Sequence, residues 1–432
     1  MPALVPRHHT LAPLLLCALA AVAALMAIPP APAVAAPARA SGTEAQLPAQ
    51  LRGAMRLAGS SSGAYVVNSS TGRPVFGFKA RRPRILASNT ELFTTAAALA
   101  RFGTDATLHT DVRGTGELRP DGTYRGSLYL VGGGDPTFGS KRFAGRAYGG
   151  GASVQTLAAK LESAGIERVS GRIYGDESGF DARRGGPESG FSTSIYVGPL
   201  SALSYNRGLA SESGRGGFQS DPPRSAAAAL DAALERRGVG VQGRPATAAA
   251  PRTSTPLAIA RSPSMERLAA LTNKPSDNFF AETLVKGLAL QASGRGTTAG
   301  GTRLAAAFAR RLGGGPARLA DGSGLSRANR ASPLRVVRLL LALQRRDESR
   351  AFFRSLAIAG RDGTLAPRMR SGPARNRCRG KTGTISGVSA LSGYCRALSG
   401  QTYAFSILMN GVGATGARAL QDRMAQAIAG VR

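Results

Sequence analysis

Ala87-Ser88-Asn89-Thr90-Glu91-Leu92-Phe93-Thr94-Thr95-Ala96-Ala97-Ala98-Leu99 is the stretch on which the reading of this chain turns. Leu92, Phe93, Ala96, Ala97, Leu99 and Ala100 give a mostly apolar helix, and Gly103 ends it. Ser88 therefore stands at a helix start, where unpaired backbone N–H groups and the positive dipole end favour an oxyanion. Positions three apart share a helix face, so residue 91 points the same way as Ser88. A serine hydroxyl is a poor nucleophile until a neighbour takes its proton. Residue 91, a glutamate here, stands in the position such a neighbour would occupy.

Upstream, 64–67 and 74–78 read as two strands joined by the turn Asn68-Ser69-Ser70-Thr71-Gly72. Downstream, residues 104–255 change texture. Short strands at 127–131 and 172–174 sit among Gly-rich turns, with helices at 154–164 and 225–236. Gly132-Gly133-Gly134-Asp135 follows a strand but lacks the Lys-Ser/Thr that closes a phosphate loop, so it reads as a tight turn. Helices return at 265–271, 279–290, 303–312 and 332–345. Strands at 387–395 and 403–408 and a last helix at 417–429 finish the chain. A hairpin near the start and strands near the end predict one α/β (α+β) domain, 51–103 with 256–432, closed by both chain ends. Residues 104–255 would be a β-rich insertion of one or two further domains.

At 432 residues the chain is too long for a single core, and its 43% apolar content is ordinary. The net charge of +31 comes from arginines scattered over the whole length, with only six lysines. No helix-turn-helix, zinc-finger or RNA-binding signature accompanies them, so no specific nucleic acid is expected. Weak attraction to anionic envelope polymers is. Arg7, the apolar run 11–28 and Ala33-Val34-Ala35 have the layout of a secretory signal spanning 1–35. The alternative is an uncleaved membrane anchor, since the run is just long enough to span. Residues 36–50 read as an Ala/Pro-rich linker. Export predicts a periplasmic, cell-wall or extracellular protein, membrane-associated if the anchor stays.

Scarce residues exclude chemistries. His8 and His9 fall in the signal, which leaves His109 alone and a Ser-His-Asp triad without support. One histidine with Cys378 and Cys395 makes a zinc site improbable, and no metal or cofactor is expected. In an exported protein Cys378 and Cys395 are expected to pair, across two adjacent strands.

Two further patterns follow Ser88-Asn89-Thr90-Glu91 in order: Ser276-Asp277-Asn278 and Lys381-Thr382-Gly383. They match the Ser-Asp-Asn and Lys-Thr-Gly motifs of β-lactamases and penicillin-binding proteins, and the first would match Ser-x-x-Lys but for Glu91. Alone, each is weak: Ser276-Asp277-Asn278 fits a helix N-cap and Lys381-Thr382-Gly383 a turn. In order, on fitting elements, they are specific. Ser276 would relay a proton to a leaving amine. Asn278 would hold a substrate amide. Lys381 supplies positive potential, and Thr382 would bind a substrate carboxylate.

The chain resembles the D-alanyl-D-alanine carboxypeptidase/endopeptidase family of class C low-molecular-mass penicillin-binding proteins, peptidase family S13. Asn273-Lys274-Pro275-Ser276-Asp277-Asn278 and Gly380-Lys381-Thr382-Gly383-Thr384 carry the likeness, with Gly133-Gly134-Asp135-Pro136, Pro199-Leu200-Ser201-Ala202-Leu203, Asp321-Gly322-Ser323-Gly324-Leu325-Ser326-Arg327 and Asp362-Gly363-Thr364-Leu365. The likeness covers nearly the whole chain after the signal. It implies a β-lactamase/transpeptidase-like domain, an antiparallel sheet flanked by helices, with a large insertion between the first two motifs. It also implies binding of β-lactams and hydrolysis of D-Ala-D-Ala bonds or crosslinks in peptidoglycan stem peptides. The acyl-enzyme would form on Ser88, and the N–H groups of Ser88 and Thr384 would make the oxyanion hole. Thr382, Gly383 and Thr384 would line the substrate, without a cofactor.

Glu91 departs from the family's lysine, and three readings stand. The protein is an impaired homologue that binds peptidoglycan or regulates, because Glu91 ion-pairs with Lys381. Or Glu91 itself is the base, which its ordinary pKa near ~4.3 allows only if burial raises it. Or the residue is an engineered or erroneous change in an ordinary active enzyme.

Overall fold

The computed structural model describes residues 42–432. The signal and the first part of the linker lie outside these residues. The chain opens with helix α1 (Leu47–Leu57), strands β1 (Gly63–Asn68), β2 (Pro74–Phe78) and β3 (Arg84–Ile85), a 3-10 turn (Ala87–Thr90) and α2 (Glu91–Phe102). The middle holds β4 (Thr107–Gly114), β5 (Glu117–Leu118), β6 (Thr123–Arg125), β7 (Leu128–Gly132), α3 (Lys141–Tyr148), α4 (Val154–Ser163), β8 (Arg168–Asp176), α5 (Pro222–Glu235), β9 (Gly240–Thr247) and β10 (Thr255–Ser264). Then come α6 (Met265–Asn273), α7 (Asn278–Ser293), α8 (Thr298–Ala309), β11 (Arg330–Ala331), α9 (Pro333–Leu343), α10 (Ser349–Ser355), β12 (Ala357–Ile358), β13 (Cys378–Ile385), β14 (Val388–Arg396), β15 (Thr402–Asn410) and α11 (Ala414–Ala429).

A six-stranded antiparallel sheet, in the order β12-β13-β14-β15-β1-β2, carries the site. The N-terminal hairpin joins the C-terminal strands where β1 pairs with β15, Gly63 opposite Leu408. Helices α1 and α11 cover one face, where Leu51, Met55, Met424 and Ile428 meet Val66, Phe405 and Ile407. Helix α9 packs on the other, and α2, α6 and α7 extend the same core, which holds Phe93, Phe280 and Leu340 together with Tyr394, Ala404 and Leu408. With both faces covered, β14 is buried at every position but Arg396, which is why it reads as unbroken rather than alternating.

The middle section builds its own mixed sheet, β10-β4-β7-β8-β6-β5, with β9 beside β8. Helices α4 and α5 close its core through Leu157, Leu161, Leu230 and Leu234. Two expected boundaries shift. Residues 256–264 do not belong with the site's sheet: they form β10, which pairs with β4. The linker does not extend to 50, because Leu47, Leu51 and Met55, four apart, bury one stripe of α1. Gly132-Gly133-Gly134-Asp135 is not the expected tight turn: Gly132 ends β7, and 133–135 continue as irregular chain. The Gly133 and Gly134 N–H groups are taken by the carbonyls of His109 and Ala202, which leaves no phosphate cradle.

Candidate active site

Ser88 does not open an α-helix directly. It lies in the 3-10 turn, and α2 begins at Glu91, whose N–H reaches the Ser88 carbonyl. A 3-10 turn eclipses positions i and i+3, so Ser88 and Glu91 stack on one face. Ala87, just before the nucleophile, has a left-handed backbone (φ 45°), as does Ser276 (φ 63°). Two such residues, each costing about 1–3 kcal/mol, at two motifs mark where strain is held in place by surrounding structure.

Strand β12 pairs with β13 only at Gly380 and Arg379, so Lys381 onward presents an edge free of strand partners on that side. The 3-10 turn packs here. A Cβ on Gly383 would lie 2.9 Å from Ser88 N and 3.0 Å from the Leu86 carbonyl oxygen, so only glycine lets β13 pass. Asn89 Nδ2 donates to the Lys381 carbonyl (2.9 Å) and stitches turn to strand. On the turn's far side Gly324 (φ 92°) approaches so closely that a Cβ would sit 1.9 Å from the Ala87 carbonyl oxygen.

The three motifs meet in one chain of contacts. Ser276 Oγ donates to Glu91 Oε1 (2.9 Å). Lys381 Nζ donates to Ser276 Oγ (2.7 Å) and to the Thr382 carbonyl (2.9 Å), and lies 3.4 Å from Glu91 Oε2. Glu91 and Lys381 are fully buried, while Ser88 is half-buried. Burial pushes the Glu91 carboxyl up to about 7, against the pull of Lys381 and Ser276. Burial also lowers the Lys381 ammonium, against the pull of Glu91. A carboxyl near 7 is in the range of a general base at neutral pH.

Asn278 begins α7, and its Nδ2 donates to the Tyr196 carbonyl of the inserted section (3.1 Å). Asp277 caps α7 by accepting from Phe280 N (3.1 Å), and its other oxygen holds the Arg207 guanidinium. Burial opposes the charge on Arg207, but Asp277 and Tyr148 hold its pKa above the ordinary value. Thr382 Oγ1 donates to Thr364 Oγ1 (2.8 Å), and exposed Thr384 accepts from Arg418 (3.3 Å). Cys378 and Cys395 are bonded and directly opposite each other in β13 and β14, at the far end of β13 from Thr384.

Sequence reasoning missed Asn89, Arg207 and Glu282. Asn89 lay inside the quoted stretch, but its partner is almost three hundred positions away. Arg207 was one arginine among many. Glu282 lies a turn beyond Asn278, buried, and accepts from Gly322 N (2.9 Å) and Ser323 N (2.8 Å). Asp321 accepts from Gly324 N (2.7 Å), Ser326 N (2.6 Å) and Asn329 (2.6 Å). The pair thus holds the loop that braces the nucleophile turn.

Burial, then Asp321, pushes Glu282 up to about 8, so it is mostly uncharged at pH 7. Glu282→Gln is therefore expected to change stability by less than about 1 kcal/mol at pH 7, since glutamine supplies the same acceptor. A urea titration checks it. Glu91, Asp135 and Asp321 are also raised by burial, to about 7, 7 and 6. Such groups keep protons in the folded state that the unfolded chain has already released. Stability should therefore fall as pH rises from about 5 to 8, where ordinary carboxylates no longer titrate. A melting temperature as high at pH 8 as at pH 5 would contradict these protonation states.

The profile of the D-Ala-D-Ala carboxypeptidase 3 (S13) family fits residues 43–215 and 217–431, and the chain belongs to that family. It is 29% identical over 455 residues to a D-alanyl-D-alanine carboxypeptidase of Actinomadura sp. strain R39, covering 86% of this chain and 82% of that one. It is 30% identical over 374 residues to carboxypeptidase DacB of Mycolicibacterium smegmatis, covering 82% and 77%. Its fold matches the crystal structure of penicillin binding protein 4 (dacB) from Haemophilus influenzae with a TM-score of 0.73, at 20% identity, over 87% of this chain and 97% of that one. The expected fold class and family are therefore both found. Among the described residues no helix is long and apolar enough to cross a membrane.

Proposed function

We propose that this chain is a serine-type D-alanyl-D-alanine carboxypeptidase/endopeptidase of peptidoglycan stem peptides, acylated on Ser88, with Glu91 taking the proton that the family's lysine takes elsewhere. The observation that carries this reading is Ser276 Oγ bridging Lys381 Nζ and Glu91 Oε1, one turn from Ser88. Ser88 Oγ would attack the carbonyl carbon of the scissile bond and pass its proton to Glu91. The N–H groups of Ser88 and Thr384 would hold the oxyanion. Glu91 would return the proton through Ser276 to the leaving amine, and water would then release the acyl group. The open edge of β13 suits an extended peptide, with Thr382 and Lys381 toward its carboxylate. β-Lactams would acylate the same serine. Such a substrate lies outside the cytoplasm, which agrees with the secretory signal expected at 1–35.

A second reading draws on the Lys381–Glu91 contact of 3.4 Å. If the pair cancels the cation that a substrate carboxylate needs, the protein binds peptidoglycan without turnover. Incubation with a fluorescent penicillin, mass spectrometry of the Ser88 peptide and a D-Ala release assay separate the two. A stoichiometric Ser88 adduct with D-Ala release supports the enzyme. Peptidoglycan pull-down without any adduct supports the binding protein.

A further inference from the structure

A recess of about 460 Å3 opens beside β3, lined by Ser60, Ser61, Lys79, Arg82, Arg84, Arg330 and Asn410. No acidic side chain lines it. Among the described residues none of its four cations has a carboxylate within 4.0 Å, whereas Arg73, Arg184, Arg237 and Arg368 each do. Arg84 is buried. Its terminal nitrogens donate to the carbonyls of Pro83 (3.1 Å) and Ser62 (3.1 Å), and its Nε has no partner. Burial and then the charges of Arg82 and Arg330 lower the pKa of Arg84, so these cations sit close enough to oppose one another.

A buried, incompletely paired guanidinium among like charges is unfavourable in the free protein, and a bound anion relieves it. We propose that this recess is a binding site for a phosphate ester, Arg84 and Arg330 meeting its oxygens and Lys79 and Arg82 closing over it. Arginine forks match phosphate oxygens in pairs, and Ser60 and Ser61 add hydroxyl donors. Asn410 does not compete for the ligand: it accepts from Ile85 N (2.9 Å) and donates to the Ile85 carbonyl (3.2 Å), which fixes β3 as the recess wall. The phosphate could belong to a polyol-phosphate polymer or to a lipid headgroup, and the oxyanion chemistry is common to both.

Binding of the full chain to soluble poly(glycerol phosphate), and to phosphatidylglycerol vesicles over a phosphatidylcholine baseline, tests the site. Arg82→Gln/Arg330→Gln removes two exposed cations from the recess. Arg244→Gln/Arg252→Gln removes two exposed cations from the inserted section, at the same net charge. The recess variant should bind the phosphate probe roughly thirtyfold more weakly, at about fivefold per cation, and the control variant should keep its affinity. Loss on the polymer alone assigns the polymer, and loss on vesicles alone assigns the headgroup. Equal loss in both variants, or no binding to either probe, overturns the site in favour of diffuse attraction by a +31 surface.

Discussion

Glutamine in place of Glu91 is expected to slow penicillin acylation of Ser88 about 10²- to 10⁴-fold, the usual contribution of a positioned base. Glutamine keeps the volume and an acceptor for Ser276, so folding should survive while the proton acceptor is lost. Because the Glu91 carboxyl stands at about 7, acylation by the unchanged protein should decline as pH falls below that value, as the carboxylate is protonated. Glu91→Lys returns the family's residue and should raise D-Ala release above that of the natural chain. If glutamine leaves the rate and its pH profile untouched, Glu91 is not the base. If lysine adds nothing, residue 91 does not serve Ser88.

Reduction of the Cys378–Cys395 bridge, or a double change to serine, should cost about 3 kcal/mol, the chain-entropy value for a loop of this length. Its effect should reach the site, because the bridge fixes the start of β13 against β14 and Lys381 follows three residues later. Urea unfolding with and without reductant measures the first effect, and penicillin labelling under reducing conditions the second. Unchanged stability after verified reduction would mean that the β13–β14 ladder alone holds this hairpin.

The parts legible in the sequence were those that physics writes locally. A helix stripe after Ser88, a cap at Asp277 and paired apolar strands near the C-terminus needed only neighbours in the chain. The three motifs could be placed on elements, and the family resemblance joined them. The surroundings of Glu91 were harder. That its carboxyl would be wholly buried and touched by Ser276 depends on residues from three distant segments. Arg207 on Asp277 is similar: nothing near position 207 marks it out from other arginines. Helix α1 was hidden because alanine and proline outweighed three spaced apolar residues. The boundary near 255 slipped because β10 finds its partner in β4, some 150 positions earlier.

Pairing of β1 with β15 also bears on the order in which this polypeptide acquires shape during synthesis. Strand β1 can pair early with β2 but lacks its other neighbour until Thr402–Asn410 has emerged, so the central sheet cannot close before the chain is nearly finished. The inserted section spans a contiguous run from β4 to β10 with its own core, and can consolidate earlier. The constellation of Glu91, Ser276 and Lys381 therefore needs residues from the late strand β13, and is assembled only after that strand has emerged.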